Sequence, residues 1–352
     1  MHPDWQHTLT HYGALISDGC VASFGNAGAE LEATLNADMM CDLSHYALLA
    51  AQGNDAVTFL QGQLTNDIAT VDDSHSQLNA FCNNKGRMIS NFRIFRNEGT
   101  LFISLPQALA APTLEKLQHY ILRAEVAMGD VSDALLRIGV NGSQAAEKLR
   151  ALFGALPENS NDVAQFENAI LIRCAAEHRF ELYATPETMP AHWQALREVC
   201  TPVGAGMWEL LDIRNGIPVI TAATSEAFVP QMTNLDLLGG VSFTKGCYTG
   251  QEIVARMHYL GKLKQRMYRI SIDTSIAPAA GDALSAEDAK STQEVGTIIS
   301  AQRVAENTTE ALAVIQNAYA AAGKLKLGAP DGPDVHLLEL PYLLESTSQA
   351  SS

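Results

Sequence analysis

The chain has 352 residues, of which 47% are hydrophobic and 18% are charged, a composition typical of a globular protein with two or three domains. Its formal net charge of −16 disfavours general binding to nucleic acid, and no apolar run approaches the ~18 residues that a membrane helix needs. Because the N-terminus lacks a basic segment followed by an apolar one, no secretory leader is predicted, and we expect a soluble cytoplasmic protein.

Strands and helices alternate along the first part of the chain without a repeat. Strands are predicted over 46–52, 77–82, 87–95 and 100–105, with a short helix before residue 61. Residues 83–86, Asn-Asn-Lys-Gly, favour a hairpin turn between two of these strands. Pro106 then fits the start of a helix that reaches about residue 123. This mixture predicts the α+β class.

Two further regions differ in their order of elements. Residues 124–204 read as strand, helix, strand, strand and helix, which predicts an inner ferredoxin-like unit. After residue 262, short strands are predicted over 267–272, 294–301, 311–316, 325–328 and 335–340. They predict a small C-terminal β-barrel over 263–345, separate from the region 1–262, and the polar residues 346–352 are predicted to be disordered.

The six cysteines are scattered, and the nearest two, Cys20 and Cys41, stand 21 positions apart. This spacing gives no C-x-x-C pair. We therefore predict neither a disulfide framework, nor a zinc site, nor a resident iron–sulfur cluster.

One segment concentrates reactive side chains. It reads Lys245-Gly246-Cys247-Tyr248-Thr249-Gly250-Gln251-Glu252. Both glycines tolerate positive φ, which predicts a tight, shaped turn. If the entry to the turn is extended, Lys245 and Cys247 share one face, where the ammonium favours the nucleophilic thiolate. The alternative is that Cys247 is a small buried hydrophobe and Lys245 a surface charge.

Positive charge is concentrated from residue 245 to residue 269. Six cations face the single acid Glu252 there, and these cations are Lys245, Arg256, Lys262, Lys264, Arg266 and Arg269. The run predicts either a solvated strand face or a patch for an anionic ligand or partner.

The reactive segment continues as Ile253-Val254-Ala255-Arg256 and resembles the signature of the YgfZ family of folate-binding proteins, which are relatives of the glycine-cleavage T-protein, an aminomethyltransferase. Residues 59–67, 84–88, 208–218 and 229–236 fit the same pattern in order and spacing. The resemblance implies a T-protein-like ring of three subdomains around a hole that binds tetrahydrofolate, the last subdomain being a β-barrel.

The resemblance also implies a folate site. Tyr46 and Trp208 match the aromatic residues that hold the pterin, and Glu209 or Asn66 would bond its polar edge. Tyr46 stands where some relatives have a tryptophan, and core packing is the alternative role for Trp208. Lys85 or Arg87 would pair with the carboxylates of the folate tail.

The function implied is that of a tetrahydrofolate-binding accessory protein for iron–sulfur cluster assembly or repair and, through it, tRNA modification. Cys247, activated by Lys245, would contact a cluster or a sulfur species. Arg256 would orient Glu252 or meet an anionic partner. Assembly proteins or cluster-containing client enzymes are the expected partners of a protein that we expect to be a monomer.

Two alternatives remain open. T-proteins carry an acid in the strand after the glycine pair, and here Ser90 and Asn91 occupy that place, neither of which can act as an acid–base group near neutral pH. A folate-dependent aminomethyltransferase or demethylase would need another group in that role, so enzyme activity stays uncertain. Direct tRNA binding is the second alternative, disfavoured by the net charge.

Overall fold

The computed structural model describes residues 1–174, 178–259, 261, 263–287 and 293–344. The chain divides into two compact units. The first unit comprises Met1–Gln61, Asp67–Gln77 and Phe92–Leu211, and the second comprises Gly62–Asn66, Leu78–Asn91 and Asp212–Ser352. The domain boundaries expected from the sequence stay predictions, and the segment 346–352 lies outside the described residues.

The helices of the described chain are mostly short. They are α1 (Pro3–His11), α2 (Ala27–Asn36), α3 (Ala56–Gln61), α4 (Gln107–His119), α5 (Ser143–Phe153), α6 (Met189–Leu196), α7 (Ala205–Arg214), α8 (Gln251–Tyr259) and α9 (Asn317–Ala322), with 3-10 turns at Ile68–Thr70 and Pro230–Thr233.

Strands are more numerous. They are β1 (Leu15–Ser17), β2 (Cys20–Ser23), β3 (Met39–Asp42), β4 (Tyr46–Gln52), β5 (Gln77–Cys82), β6 (Met88–Asn97), β7 (Thr100–Pro106), β8 (Ala127–Asp130), β9 (Leu136–Asn141), β10 (Val163–Phe166), β11 (Ala169–Arg173), β12 (Arg179–Ala184), β13 (Thr201–Val203), β14 (Gln265–Asp273), β15 (Ala283–Ala286), β16 (Gly296–Ala305), β17 (Thr308–Gln316), β18 (Leu325–Leu327) and β19 (Asp334–Leu338).

The main sheet of the first unit has the strand order β10-β11-β12-β9-β3-β13. All six residues of its strand β12 are buried. Because side chains alternate between the two faces of a strand, both faces of β12 are therefore covered. Phe180, Leu182 and Ala184 point into the larger hydrophobic core of this unit. Arg179, Glu181 and Tyr183 lie on the opposite face, which we call the arginine face and which positions one candidate site. Strands β6, β7, β4 and β8 form neighbouring pairs in a second sheet.

In the second unit, the C-terminal strands close into a barrel with the order β14-β17-β16-β15-β18-β19. The predicted α+β class and C-terminal barrel are therefore confirmed. Strand β15 was not predicted from the sequence, because its four residues Ala-Leu-Ser-Ala are too few and too weak in β-propensity to stand out. Leu284 of that strand nevertheless packs into the barrel core with Ile270, Ile298 and Ile315.

Membrane-spanning helices and metal-ligand clusters are both absent from the described part of the chain. No helix there is both long enough and apolar enough to cross a membrane. Within the same residues, no three His, Cys, Asp or Glu side chains are grouped as metal ligands.

Candidate functional site

The reactive segment of the second unit is a turn packed against another turn. Gly250 has φ +83°, and a Cβ added there would lie 2.4 Å from the carbonyl oxygen of Asn83 and 2.8 Å from Cα of Gly86. Gly86 has φ +69°, and its added Cβ would lie 3.0 Å from Cβ of Ile253. Both glycines are therefore required, because any side chain would separate the two backbones.

Gly246 differs from the expectation. Its φ is not positive, and a Cβ added there would meet nothing within 4 Å. The predicted need for left-handed backbone is thus met by Gly250 but not by Gly246, because Gly246 lies at the exposed side of the turn.

Lys245 anchors the turn from inside. Its side chain is buried, with 8% of the residue exposed, and Nζ donates hydrogen bonds of 2.7 Å to the carbonyl of Leu64 and 2.9 Å to that of Asn66. The ammonium also lies 5.2 Å from the ring centre of Tyr248, which is buried as well. Burial raises the pKa of Tyr248 well above its usual value, which keeps the phenol neutral.

Cys247 is exposed whereas Lys245 is buried, so the two side chains do not share one face as predicted for an extended entry. The segment is irregular there, which removes the alternation that the sequence argument assumed. The alternative expectation is reversed as well, because the lysine is buried and the cysteine exposed. Activation of Cys247 by Lys245 stays a prediction.

The other cysteines are poor nucleophiles by position. Cys41, Cys82, Cys174 and Cys200 are buried, and burial raises the pKa of each, to about 12 for Cys174 and Cys200. Cys20 is partly exposed, and burial together with Glu209 raises its pKa. Cys247 is therefore the most exposed of the six thiols.

Helix α8 carries the end of the motif. Gln251 begins it, Glu252 is exposed in its first turn, where a negative charge is favourable, and Arg256 is exposed one turn later. The carbonyl of Val254 accepts a 2.7 Å hydrogen bond from Gln231, which ties the helix to the turn at Pro230–Thr233.

The basic run is less positive than its sequence indicates. Arg266 pairs with Asp236 at 2.7 Å, Arg269 pairs with Glu310 at 2.8 Å, and Lys245 bonds to backbone carbonyls. Arg256 and Lys264 are exposed, and Lys262 lies outside the described residues. Three of the six cations are thus engaged inside the protein, which differs from both predictions for them, and fewer charges are left for an anionic ligand or partner.

The predicted folate residues of the second unit are Asn66, Lys85 and Arg87. Asn66 Nδ2 donates to the carbonyls of Leu78 at 3.1 Å and Gly239 at 2.7 Å. Arg87 Nη1 donates to the carbonyl of Ala227, and Lys85 is exposed. The side chains of Asn66 and Arg87 therefore bind main-chain carbonyls of the second unit, and their roles in folate binding stay predictions.

Ser90 and Asn91, which the resemblance predicts to occupy the place of the T-protein acid, are both buried. Asn91 Nδ2 donates to the carbonyl of Pro218 at 2.7 Å, and its Oδ1 accepts from the amide of Ile220 at 2.8 Å. A carboxamide supplies both this donor and this acceptor, whereas an ionised carboxylate can only accept, so Asn91 acts as a structural clamp on the segment 218–220.

In the first unit, both predicted pterin-binding aromatics lie against arginines of the main sheet. Arg137 lies over Tyr46 at 4.4 Å from the ring centre, and Arg179 lies over Trp208 at 3.9 Å. Trp208 is only 1% exposed, and a Cβ on Gly139 would lie 2.4 Å from its ring. Trp208 therefore occupies a core position without an open face, and its role in folate binding stays a prediction.

Tyr46 is half-buried and lines a cavity of the first unit together with Arg137 and Tyr183. Glu209, on α7, is partly exposed. Because Tyr46 borders a cavity, its ring is more accessible than the buried ring of Trp208.

A buried charge group that was not predicted from the sequence centres on Glu181. Its carboxylate lies 2.6 Å from Arg137 and 3.9 Å from Arg93, and it accepts a 2.9 Å hydrogen bond from the Tyr183 hydroxyl. Burial raises the pKa of Glu181, but the two arginines outweigh that effect and hold the pKa at about 2. The sequence Arg179-Phe180-Glu181-Leu182-Tyr183 could have indicated this group, because polar and apolar residues alternate in it and so place Arg179, Glu181 and Tyr183 on one face of a strand.

A model of the GCVT N-terminal domain family matches residues 12–242. The tRNA-modifying protein YgfZ of Yersinia pseudotuberculosis serotype O:1b is 36% identical to this chain over 307 residues, which cover 87% of this chain and 92% of the relative. The chain belongs to the YgfZ family. A YgfZ protein of Pectobacterium carotovorum is 34% identical over 318 residues, covering 90% of this chain and 93% of the relative.

The fold of this YgfZ-family protein also matches a solved structure. Aminomethyltransferase T of the glycine cleavage system from Bartonella henselae superposes with a TM-score of 0.80 at 15% identity, covering 97% of this chain and 98% of that one. The T-protein-like fold expected from the motif is therefore confirmed.

Proposed function

We propose that this YgfZ-family protein binds tetrahydrofolate, supports assembly or repair of iron–sulfur clusters in client enzymes and thereby supports tRNA modification. Cys247 is its reactive group. The observation that carries the proposal is the exposed Cys247 thiol between the buried residues Lys245 and Tyr248. The name that the relatives carry, tRNA-modifying protein, supports the connection to tRNA.

The chemistry assigned to Cys247 is transient ligation of a client's cluster, which is the substrate. The thiol gives its proton to solvent, and a sulfur lone pair binds a cluster iron in place of one existing ligand. No oxidant or reductant is needed, because iron and sulfur keep their oxidation states. The packed glycine turn holds the thiol outward, so little conformational freedom is lost on contact.

The residues of the first unit fit a folate. Tyr46 is half-buried and is backed by Arg137 on one face, so its other face can support a flat heteroaromatic ring, and Glu209 is the polar candidate for the pterin edge. When bound, tetrahydrofolate supplies a nitrogen that accepts a one-carbon unit. Because Asn91 is engaged as a clamp, we expect binding without aminomethyl transfer.

In this proposal the partners are iron–sulfur assembly proteins or cluster-containing clients in the cytoplasm, and the protein acts as a monomer.

The role of Cys247 is tested in cells that lack their own YgfZ relative. Cys247→Ala should abolish support of a cluster-dependent tRNA-modifying enzyme, measured as the modified fraction of its tRNA, while the thermal unfolding midpoint stays unchanged. Cys20→Ala is the matched control and should retain full support. Full support by Cys247→Ala would refute the proposal.

Folate binding is tested by calorimetric titration with tetrahydrofolate. Tyr46→Ala should weaken binding at least about tenfold, since a buried aromatic contact is lost. Tyr12→Ala is a matched control, because Arg197 lies 4.1 Å from the Tyr12 ring centre but Tyr12 is not among the cavity-lining residues. Turnover of an aminomethyl donor would instead identify a transferase or demethylase, and steeply salt-dependent tRNA binding would identify a direct tRNA-binding protein.

A further inference from the structure

Three aromatic side chains of the second unit form a cluster at the surface. Phe243 and His258 stack with ring centres 3.7 Å apart and planes 13° apart, and Tyr259 meets both rings edge-on. Phe243 stands four positions before Cys247, and the other two rings belong to the last turn of α8. The cluster therefore ties the end of α8 to the segment that carries the exposed thiol.

Tyr259 is the large side chain that this cluster leaves open to solvent. It is 65% exposed, although an aromatic ring gains free energy when it is removed from water. Its edge contacts with His258 and Phe243 restrict its rotation, so a partner that covers the ring loses little free energy in ordering it. Fixed, accessible tyrosine rings are typical of the residues that dominate binding at protein interfaces.

The exposed side of α8 connects Tyr259 to the turn that carries Cys247. Glu252, Arg256 and Tyr259 stand four and three positions apart, so they lie along one stripe of the helix. All three are exposed, whereas Val254 on the opposite side is buried. The stripe is roughly 10 Å long and begins directly after the thiol turn. A single partner surface can therefore cover the stripe and reach the thiol.

The charge on this surface favours an acidic partner. Among the described residues from 252 to 264, the exposed charges are Glu252, Arg256 and Lys264, which leaves a positive surplus in a chain of net charge −16. Within the same residues Arg256 makes no ion pair or hydrogen bond, so its planar guanidinium is available to a carboxylate from outside. An acidic partner is repelled by most of the chain and attracted here, which orients its approach.

We propose that Arg256, Tyr259 and the ring cluster form a docking face for the cluster-containing client protein. The identity of this partner rests on the proposed function. Its docking surface presents a carboxylate to Arg256 and an apolar pocket to Tyr259, beside an accessible iron–sulfur cluster. The face supplies affinity and orientation, and the adjacent Cys247 thiol meets the cluster that docking brings to it.

The docking face is tested with a purified, cluster-loaded tRNA-modifying enzyme as the binding probe. In surface plasmon resonance on the full chain, Tyr259→Ala should weaken binding about tenfold, and Tyr259→Phe, which keeps the ring, should not. Arg256→Gln should weaken binding about threefold and reduce its dependence on salt. Tyr120→Ala is the matched control, because Tyr120 is 47% exposed but belongs to the first unit, and it should bind as wild type does.

Cys247→Ala separates docking from the chemistry of the thiol. It should bind the client nearly as well as wild type while support of tRNA modification in cells is lost. If Cys247→Ala keeps full support and Tyr259→Ala still weakens client binding, the proposed function fails while the docking face stands.

Two results would overturn the docking face. The first is failure of wild type to bind the client, or wild-type affinity in both Tyr259→Ala and Arg256→Gln. The second is that Tyr259→Ala loses binding to tRNA or to a second copy of the chain instead of binding to the client. Thermal unfolding midpoints close to that of wild type in all variants would show that these comparisons concern folded proteins, as expected for exposed side chains.

Discussion

The turn around Cys247 and the arginine face hold their key groups by opposite means. Cys247 is exposed, and its place is fixed by main-chain packing at Gly250 and by Lys245 bonded to carbonyls. Arg137 and Glu181 are buried, and charge and hydrogen bonds fix them. A nucleophile must reach a partner, so it needs a rigid backbone and an open side chain. Buried charges fix one another in place, because charges interact more strongly away from water.

Substitution at the arginine face should produce the largest loss. Glu181→Gln leaves two buried arginines without their carboxylate and should cost about 3–5 kcal/mol of unfolding free energy, measured by urea denaturation. The pKa of Glu181 is about 2 in the folded protein against the ordinary 4.5, so its stabilising contribution is present above pH 4.5 and is lost as the pH falls towards 2. The shift corresponds to about 3 kcal/mol, and this dependence should disappear in the variant.

Glu310→Gln in the barrel is the control for that substitution. Glu310 is also paired with two arginines, Arg214 and Arg269, but their side chains are 33% and 20% exposed. Water can therefore replace part of the lost interaction, and a smaller loss is expected. Equal losses at Glu181 and Glu310 would contradict the importance of burial.

The backbone packing of the reactive turn is tested by Gly250→Ala. Its positive φ and the 2.4 Å approach to Asn83 should make the change cost about 2–4 kcal/mol of unfolding free energy. Gly246→Ala is the control, and it should stay within about 0.5 kcal/mol because its Cβ meets nothing. A tolerated Gly250→Ala would show that the two turns separate without cost.

The clamp that Asn91 forms on the segment 218–220 is tested by Asn91→Asp. The introduced carboxylate would face the carbonyl of Pro218, so about 1–3 kcal/mol of stability should be lost at neutral pH. The loss should shrink as the pH falls, because a protonated carboxyl can donate to that carbonyl. We expect no aminomethyl transfer from this variant, and a gain of turnover with tetrahydrofolate would disprove the structural role.

The smallest expected effect is on the rates at which the cysteines of the native protein react with a chromogenic disulfide. One fast equivalent should come from Cys247, a slower one from partly exposed Cys20, and the four buried thiols should react only on unfolding. Cys247→Ser should remove the fast phase alone. Rapid labelling of Cys82 or Cys174 in the native protein would contradict the burial assigned to them.

Much of the fold could be predicted from local pattern. Strands β4 and β5 begin and end where alternation and flanking turn residues place them. The barrel was expected from its short, spaced strands, and only β15 was missed because four small residues carry little signal. The family was indicated by the contiguous motif 245–252, whose demanding residue types stand side by side in the chain.

The chemistry of the candidate sites was less predictable. The sequence places Lys245 two positions from Cys247, but the carbonyls that bind its ammonium come from residues 64 and 66, far away in the chain. Arg137 belongs to no recognisable sequence motif. Its pairing with Glu181 depends on strands β9 and β12 being neighbours in the sheet. Such pairings arise from tertiary contacts that local periodicity does not specify.

The sequence by itself determined the family, the α+β class, the C-terminal barrel and the glycine-rich turn, because each depends on local backbone preference or on a contiguous motif. Only the tertiary structure decided that Cys247 is exposed, that Lys245 and Trp208 are buried, and that Arg137, paired with Glu181, lines a cavity. Burial and charge pairing depend on which distant segments meet, and the free energy of those contacts is settled only when the chain has folded.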